Sequence, residues 1–206
     1  MSDLVWYVSY GSNMCLDRLR YYLRGGRPSG AGHTYPGCRD AADPRADESV
    51  TLPGSTYFAL ESPTWTGGLA LYDPDTAGEA VARAYLVTAS QFADIAAQEM
   101  HRAPGTDLDL TEVLASGRCA LGPGRYETLV RAGERDGVPL LTFTAPWRLA
   151  DVPGNRPAPA YVRQLSRGLA ETTGWDDAAV AGYLSRCPGA GDWTPEEVAA
   201  LRRVEP

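Results

Sequence analysis

The chain has 206 residues, 44% of them hydrophobic, and a formal net charge of −7 at pH 7. This length and apolar content suffice for one core, so we expect a single domain over residues 1–206 with a short C-terminal helical extension from about residue 190. The acidic excess opposes contact with a phosphate backbone, which excludes nucleic acid as the expected partner. The sequence has neither a membrane-length apolar run nor a signal-peptide pattern, so we expect no membrane partner and a cytoplasmic location.

The N-terminal pattern predicts a strand, a short turn and a helix. Aromatic and apolar residues alternate from Val5 to Tyr10, which is typical of a strand. Leu16, Leu19 and Leu23 then recur at helical spacing. Ser12 or Asn13 is the expected N-cap of this helix, so the turn around Gly11 lies between strand and helix.

This turn has two interpretations. Gly11 allows close approach of a ligand, and amides at a helix N-terminus present donors and partial positive charge, which suits a carboxylate or an oxyanion. The alternative is a capped corner that binds nothing. The turn residues alone leave both interpretations open.

The middle of the chain is predicted to be extended. Residues 24–54 are rich in Gly, Pro, Asp and Arg and predict a long irregular segment. Runs at 56–60, 67–72 and 80–87 predict successive, largely antiparallel strands. The Gly67-Gly68 pair indicates a bulge or a close backbone approach, or simply a sharp bend.

A helix is predicted from about residue 89 to residue 100. Thr88 and Gln91 have the spacing of a capping box. Phe92 and Ile95 lie on one face of this helix, and Glu99 follows on the same face. Burial there would raise the pKa of a carboxyl group, as a general acid/base requires. The alternative is that Glu99 points to solvent from a fraying last turn.

The C-terminal third predicts a strand at 140–143 and helices at 161–169 and 175–184. Thr194-Pro195 predicts the start of a last helix, because proline is favoured at the first helical position.

The cysteines predict reduced thiols and no metal site. Four of them are scattered through the sequence, without a C-x-x-C pair: Cys15, Cys38, Cys119 and Cys187. One alternative chemistry uses Cys15, near the start of the first helix, as a nucleophile with His33 or His101 as its base.

Four stretches together resemble the γ-glutamylcyclotransferase-like family, in the order that the family has. They are Tyr10-Gly11-Ser12-Asn13, Trp65-Thr66-Gly67-Gly68, Gln98-Glu99 and Tyr161, which follows Pro159 by two residues. Each motif is weak alone, and their order and spacing cover most of residues 5–170.

The resemblance implies an α+β fold, with a mixed, mostly antiparallel and barrel-like sheet flanked by helices. It also implies a cofactor-free and metal-free intramolecular amide cleavage, in which a γ-glutamyl amide closes to 5-oxoproline and releases an amine. Glu99 would be the general acid/base. The substrate-binding residues would be Tyr10, Gly11, Ser12, Asn13, Met14 and Tyr161. The expected partner is a small γ-glutamyl substrate, and the expected protein is a monomer or homodimer.

Two departures leave a second function open. Phe143 stands where family members often have a pocket tyrosine, and the segment 24–54 is long. The alternative is therefore a catalytically inactive small-molecule-binding or regulatory module of the same fold.

Overall fold

A computed structural model describes residues 4–28 and 34–202. Within these residues the strands are β1 (Leu4–Ser9), β2 (Ala46–Pro53), β3 (Ser55–Ala59), β4 (Leu69–Asp73), β5 (Glu79–Thr88), β6 (Arg118–Ala120), β7 (Thr128–Arg135) and β8 (Val138–Thr144). The helices are α1 (Leu16–Arg24), α2 (Ala89–Glu99), α3 (Thr111–Ser116), α4 (Pro159–Thr173), α5 (Asp177–Arg186) and α6 (Pro195–Arg202), and 3-10 turns lie at Ser12–Met14 and Leu149–Asp151.

Six strands form one sheet in the order β2-β5-β1-β8-β7-β6. The strand β1 is antiparallel to β5 and parallel to β8, so the sheet is mixed. The strands β3 and β4 pair antiparallel as a separate two-stranded sheet. The predicted α+β class, with a mixed, mostly antiparallel sheet and helices, is confirmed.

The expected barrel closure is wrong. Among the described residues, β2 and β6 are the two edges of the six-stranded sheet and are not paired with each other. A barrel requires edge strands that can form a full ladder, and β6 has only three residues. The strands β3 and β4 also leave the sheet, so β5 pairs with β1 and β2 rather than with its predecessor in the chain.

The chain divides into two compact units. Unit 1 contains the described residues of 4–9, 17–48 and 83–146. Its core has stacked aromatic rings: the Tyr7 ring of β1 lies 5.6 Å from that of Phe143 and 6.3 Å from that of Tyr85, between centroids. The fully buried Ile95 and Leu141 belong to the same unit. Unit 1 therefore carries α2, the helix that ends at Glu99.

Unit 2 contains the described residues of 10–16, 49–82 and 147–202. The β3–β4 hairpin supplies the buried rings of Tyr57, Phe58 and Tyr72, and α4 supplies Leu165 and Leu169. Unit 2 therefore carries the turn that follows β1, together with α4. The prediction of a single domain over residues 1–206 stays a prediction.

Most predicted elements are present, and the main errors fall where exposed residues form strands. The predicted strands at 56–60, 67–72 and 80–87 correspond to β3, β4 and β5, and the predicted helix at 89–100 corresponds to α2. The segment 24–54 is not wholly irregular, because β2 lies within it. The less exposed face of β2 combines Glu48 with Val50 and Leu52, a weak apolar pattern, so pairing with β5 more than hydrophobic patterning makes this segment a strand.

No helix among residues 4–28 and 34–202 is long and apolar enough to cross a bilayer.

Candidate functional site

Glu99 is the last residue of α2, a helix with a well-defined start. Thr88 accepts a hydrogen bond from the Gln91 amide at 3.1 Å, and the Gln91 side chain accepts one from the Thr88 amide at 3.0 Å, which confirms the predicted capping box. Phe92 and Ile95 are fully buried, and Glu99 is half-buried. Glu99 therefore lies between the two alternatives that the sequence left open, which were burial and exposure to solvent.

The Glu99 carboxylate belongs to a polar group inside unit 1 that we call the Glu99 cluster: Arg18, Tyr22, Tyr35 and Glu99. The Tyr22 hydroxyl donates a hydrogen bond to the Glu99 carboxylate. The Tyr22 and Tyr35 rings lie 4.5 Å apart between centroids, and the Arg18 guanidinium donates to the Tyr35 hydroxyl. The guanidinium carbon also lies 4.8 Å from the Tyr35 ring centroid. A positive charge and two phenols thus accompany this carboxylate.

The phenols of the cluster are held in their protonated form. Burial, and then the negative charge of Glu99, raise the pKa of Tyr22 well above its ordinary value. Burial also raises the pKa of Tyr35, although the positive charge of Arg18 opposes that shift. Both hydroxyls therefore remain donors through the neutral pH range.

The turn after β1 is a 3-10 turn, Ser12–Met14, that starts from Gly11. The Met14 amide donates to the Gly11 carbonyl at 3.0 Å, and the Cys15 amide donates to the Ser12 carbonyl at 3.2 Å. Asn13 and Met14 are buried, whereas Gly11 and Ser12 are half-buried. Gly11 and Ser12 are thus the accessible residues of the turn.

Two expectations for this turn need correction. Ser12 and Asn13 belong to the 3-10 turn, and Cys15 is the residue directly before α1, so neither predicted N-cap adjoins the helix. Met14 is one of the expected substrate-binding residues, but its amide donates within the turn. The turn closes on itself because a 3-10 turn satisfies its own amides through i to i+3 hydrogen bonds.

Helix α4 supports the turn within unit 2. The Tyr161 hydroxyl lies 3.6 Å from the place where a Cβ on Gly11 would be, and it accepts a hydrogen bond from the Ala70 amide at 3.3 Å. Seven residues later, a Cβ on Gly168 would lie 2.9 Å from the Cys15 nitrogen. Tyr161 and Gly168 lie on one face of α4 and contact opposite ends of the turn. Of the predicted site residues, Gly11 and Tyr161 are thus brought together.

Tyr10, an expected substrate-binding residue, is buried in unit 2. Its side chain is 6% exposed, and its ring lies 5.6 Å from the Tyr72 ring between centroids. The tyrosine of the YGSN sequence therefore anchors the turn in the core of unit 2.

Trp65 adds an aromatic wall next to Tyr161. The two rings are stacked at 5.4 Å between centroids, with 22° between their planes. The following Gly67-Gly68 pair makes the predicted close backbone approach: a Cβ on Gly68 would lie 1.9 Å from the Asn155 carbonyl oxygen, and the Gly68 amide donates to the Arg156 carbonyl at 2.9 Å. The sequence analysis names Trp65 only as part of a motif and not as a site residue. Its contact with Tyr161 makes it a further candidate for substrate contact.

The thiol alternative loses support from its surroundings. Cys15 is 1% exposed and its thiol donates to the Glu171 carboxylate at 3.5 Å. A neighbouring carboxylate disfavours the thiolate that a nucleophile requires. His101 contacts Arg125 at 2.9 Å, and His33 lies outside the described residues. The four cysteines are all free thiols, as predicted.

Phe143 belongs to the aromatic core of unit 1. It is 4% exposed and contacts Tyr7, Phe92 and the edge of Tyr126. Its packing explains an apolar residue at this position without reference to substrate.

Within residues 4–28 and 34–202, no three His, Cys, Asp or Glu side chains are grouped as metal ligands would be. The prediction that activity needs neither metal nor cofactor stays a prediction.

No family model matches the chain. A curated relative, histone deacetylase 5 from Arabidopsis thaliana, is 29% identical over 185 residues, which are 81% of this chain. The chain spans only 28% of the length of that relative.

Two solved structures are similar in fold. One is the crystal structure of an uncharacterized protein from Homo sapiens, with 16% identity and a TM-score of 0.52, over 98% of this chain and 100% of that chain. Another is a γ-glutamyl cyclotransferase, with 16% identity and a TM-score of 0.49, over 98% of this chain and 89% of that chain. At this identity, the similarity to the human protein is one of fold alone.

The sequence interpretation found Glu99 but missed Arg18, Tyr22 and Tyr35. A usable signal was present: Arg18 and Tyr22 stand four residues apart and therefore share a face of α1. Tyr35 carried no such signal, because it joins the cluster from the segment after α1 through contacts that are not local in sequence.

Proposed function

We propose that the protein is a cofactor-free γ-glutamyl cyclotransferase that converts a γ-glutamyl amide to 5-oxoproline and a free amine. Glu99 is the general acid/base of this reaction. Gly11 and Ser12 of the turn, together with Tyr161, bind the glutamyl portion, and Tyr10, Asn13 and Met14 hold the turn in place. The observation that carries the proposal is a half-buried carboxylate at the end of a capped helix, accompanied by a phenol donor, in a chain that also has the YGSN turn.

The proposed reaction needs little from the protein besides positioning and proton transfer. The α-amine of the glutamyl group attacks the side-chain amide carbonyl, so a C–N bond forms within the substrate. Glu99 takes the proton from the attacking nitrogen and gives it to the leaving nitrogen as the original amide bond breaks. Because nucleophile and carbonyl belong to one molecule, binding in the cyclised conformation supplies most of the proximity effect.

Two features of the turn support its assignment to substrate binding. Gly11 and Ser12 are half-buried and partly accessible, while Asn13 and Met14 are buried and fix the turn. The Tyr161 hydroxyl lies beside Gly11, where it can contact an anionic or carbonyl oxygen of the ligand. Backbone amides and a hydroxyl suit the glutamyl carboxylate and the developing oxyanion.

The test is an assay of 5-oxoproline release over a panel of γ-glutamyl amides with amino acid, dipeptide and alkylamine leaving groups. We expect the wild-type protein to turn over at least one class, and Glu99→Gln to lose about 10²- to 10⁴-fold in kcat. Glu134→Gln is the matched control, because Glu134 is exposed on β7 and pairs only with Arg131 at 2.9 Å among its described contacts. Full activity in Glu99→Gln refutes the assignment of Glu99. Binding without product across the panel favours the inactive binding module.

A further inference from the structure

We propose that Arg18, Tyr35 and Tyr22 are positioning residues that together keep the Glu99 carboxylate in its base form. This inference rests on the proposed function of Glu99 as general acid/base. It assigns a task to three buried polar side chains of unit 1 that the reaction itself does not require.

The contacts within the cluster link Arg18 to Glu99 through the two phenols. Tyr22 and the Glu99 carboxylate share a side-chain hydrogen bond. The Tyr22 and Tyr35 rings lie 4.5 Å apart between centroids, and a side-chain hydrogen bond from Tyr22 lowers the pKa of Tyr35. The Tyr35 oxygen accepts from Arg18, a side chain that is always charged and only donates. Hydrogen bonds in such a group polarise one another.

Burial makes this arrangement specific. Arg18 is 7% exposed, Tyr22 is 5% exposed and Tyr35 is 4% exposed. A buried guanidinium is costly unless its charge is compensated. The ionised form of Glu99 adds a negative charge to the same cluster, so the positive charge of Arg18 favours the carboxylate over the neutral acid.

A hydrogen bond from helix α2 also holds the backbone at Tyr22 in place. The Gln98 side-chain amide donates to the Tyr22 carbonyl at 3.0 Å, so the residue before Glu99 ties α2 to α1. Gln98 is 8% exposed. The glutamine that precedes the proposed acid/base thus sets the distance between the two helices that carry Glu99 and its phenol donor.

The other titratable groups that adjoin this end of α2 have partners of their own. Asp94 pairs with Arg39, Arg102 pairs with Glu127, and His101 contacts Arg125.

Cys38 lies against the Tyr22 carbonyl, with its sulfur 3.3 Å from that oxygen. Burial raises the pKa of this thiol to about 12, so it is neutral. Tyr22, by contrast, is a hydrogen-bond partner of the Glu99 carboxylate.

The test measures the ionisation of Glu99 directly, by a ¹³C NMR titration of glutamate side-chain carboxyl groups in the full-length protein. The Glu99 signal is assigned by its loss in Glu99→Gln. We expect Tyr22→Phe to raise the titration midpoint of Glu99, because the ionised form loses a donor. Tyr35→Phe shifts the midpoint in the same direction by less, because it removes only the second link. Tyr21→Phe, which changes the adjacent half-buried tyrosine of α1, leaves the midpoint unchanged.

A pH profile of kcat/KM on any substrate that the panel identifies gives the second readout. The acid limb in Tyr22→Phe moves to higher pH, while the alkaline plateau stays within a few-fold of the wild-type value. A merely structural role would lower the whole profile instead.

The outcomes separate this inference from the proposed function. If Tyr22→Phe and Tyr35→Phe titrate as the wild-type protein does, the inference is refuted whether or not the protein makes 5-oxoproline. If the midpoint shifts but no γ-glutamyl amide is turned over, the hydrogen-bond chain is confirmed and the proposed reaction is wrong. If Tyr22→Phe does not fold, Tyr35→Phe decides the question by the same titration.

Discussion

The polar groups near Glu99 belong to side chains, whereas those of the Ser12–Met14 turn belong mainly to the backbone. In unit 1, a guanidinium, two phenols and a carboxylate follow one another. In unit 2, the turn is closed by amide-to-carbonyl hydrogen bonds and is packed against α4. The two regions should therefore respond to different mutations. Removal of a polar atom should destabilise unit 1, and addition of a Cβ at a close contact should destabilise the turn in unit 2.

The largest effect on the turn should come from Gly168→Ala in α4. The new Cβ would lie 2.9 Å from the Cys15 nitrogen and from the Met14 Cβ, so the turn must shift. Overpacking of this kind costs about 1–3 kcal/mol in the free energy of unfolding. Helix propensity opposes this by up to about 1 kcal/mol. Urea unfolding and KM for the substrate measure the two consequences, and both should worsen.

Gly182→Ala in α5 is the matched control. Its Cβ would meet only the flexible end of Arg186 at 3.1 Å, so the same substitution should be neutral or stabilising. If both variants unfold at the same urea concentration as the wild-type protein, the turn does not depend on close packing against α4, and the comparison between the regions fails.

Asp94→Asn, in α2, tests how much an ionised side chain of unit 1 contributes to stability. Burial opposes ionisation of Asp94, but hydrogen bonds from Arg39 and Gly105 outweigh it and lower the pKa of this carboxyl. A carboxyl whose pKa is lowered on folding stabilises the folded state above its unfolded pKa of about 3.9, and this contribution is lost as the pH falls further. We expect the variant to lose about 1–3 kcal/mol at pH 7, because a buried acceptor loses the charge that its hydrogen bonds from Arg39 and Gly105 stabilise.

The control is Asp107→Asn, which removes the exposed partner of the same Arg39 side chain. Exposed ion pairs contribute about 0–1 kcal/mol, so this variant should be close to wild type. Urea unfolding at pH 7 and at pH 3 checks both statements. A stability difference between wild type and Asp94→Asn that is equally large at both pH values would contradict the role of the ionised carboxylate.

Tyr161→Phe should have the smallest effect, because it removes one side-chain oxygen from a region built mainly of backbone. Its hydroxyl accepts from the Ala70 amide at 3.3 Å and lies beside Gly11. We expect about 1 kcal/mol less stability and, if that oxygen also meets substrate, a rise in KM of about five-fold with little change in kcat.

Tyr183→Phe is the control for Tyr161→Phe, since the Tyr183 hydroxyl also accepts from a backbone amide, that of Val81, at 2.9 Å. It should lose similar stability and leave KM unchanged. Equal KM values in the two variants would remove Tyr161 from the list of substrate contacts.

The parts of the fold that the sequence predicted depend on local contacts. The capping box of Thr88 and Gln91 and the approach at Gly67-Gly68 are visible in a few neighbouring letters. The strand β2 was missed because its pairing with β5, more than its composition, makes it a strand.

The candidate site was predicted only in part for the same reason. Glu99 was visible from helical periodicity, but the phenols of its cluster come from α1 and from the segment around Tyr35. The amides of the turn were misjudged at Met14, because a 3-10 turn consumes donors that a regular helix start would leave available.

The proposal that Glu99 transfers protons while the turn binds substrate is tested most directly by measuring binding and turnover in Glu99→Gln. A γ-glutamyl amide that the wild-type protein converts is titrated into the variant by calorimetry, and 5-oxoproline is assayed in the same samples. If Glu99 transfers protons and the turn binds substrate, the Kd of the variant for this amide lies within a few-fold of the wild-type KM, and the variant forms almost no product. Wild-type turnover by Glu99→Gln would contradict this account.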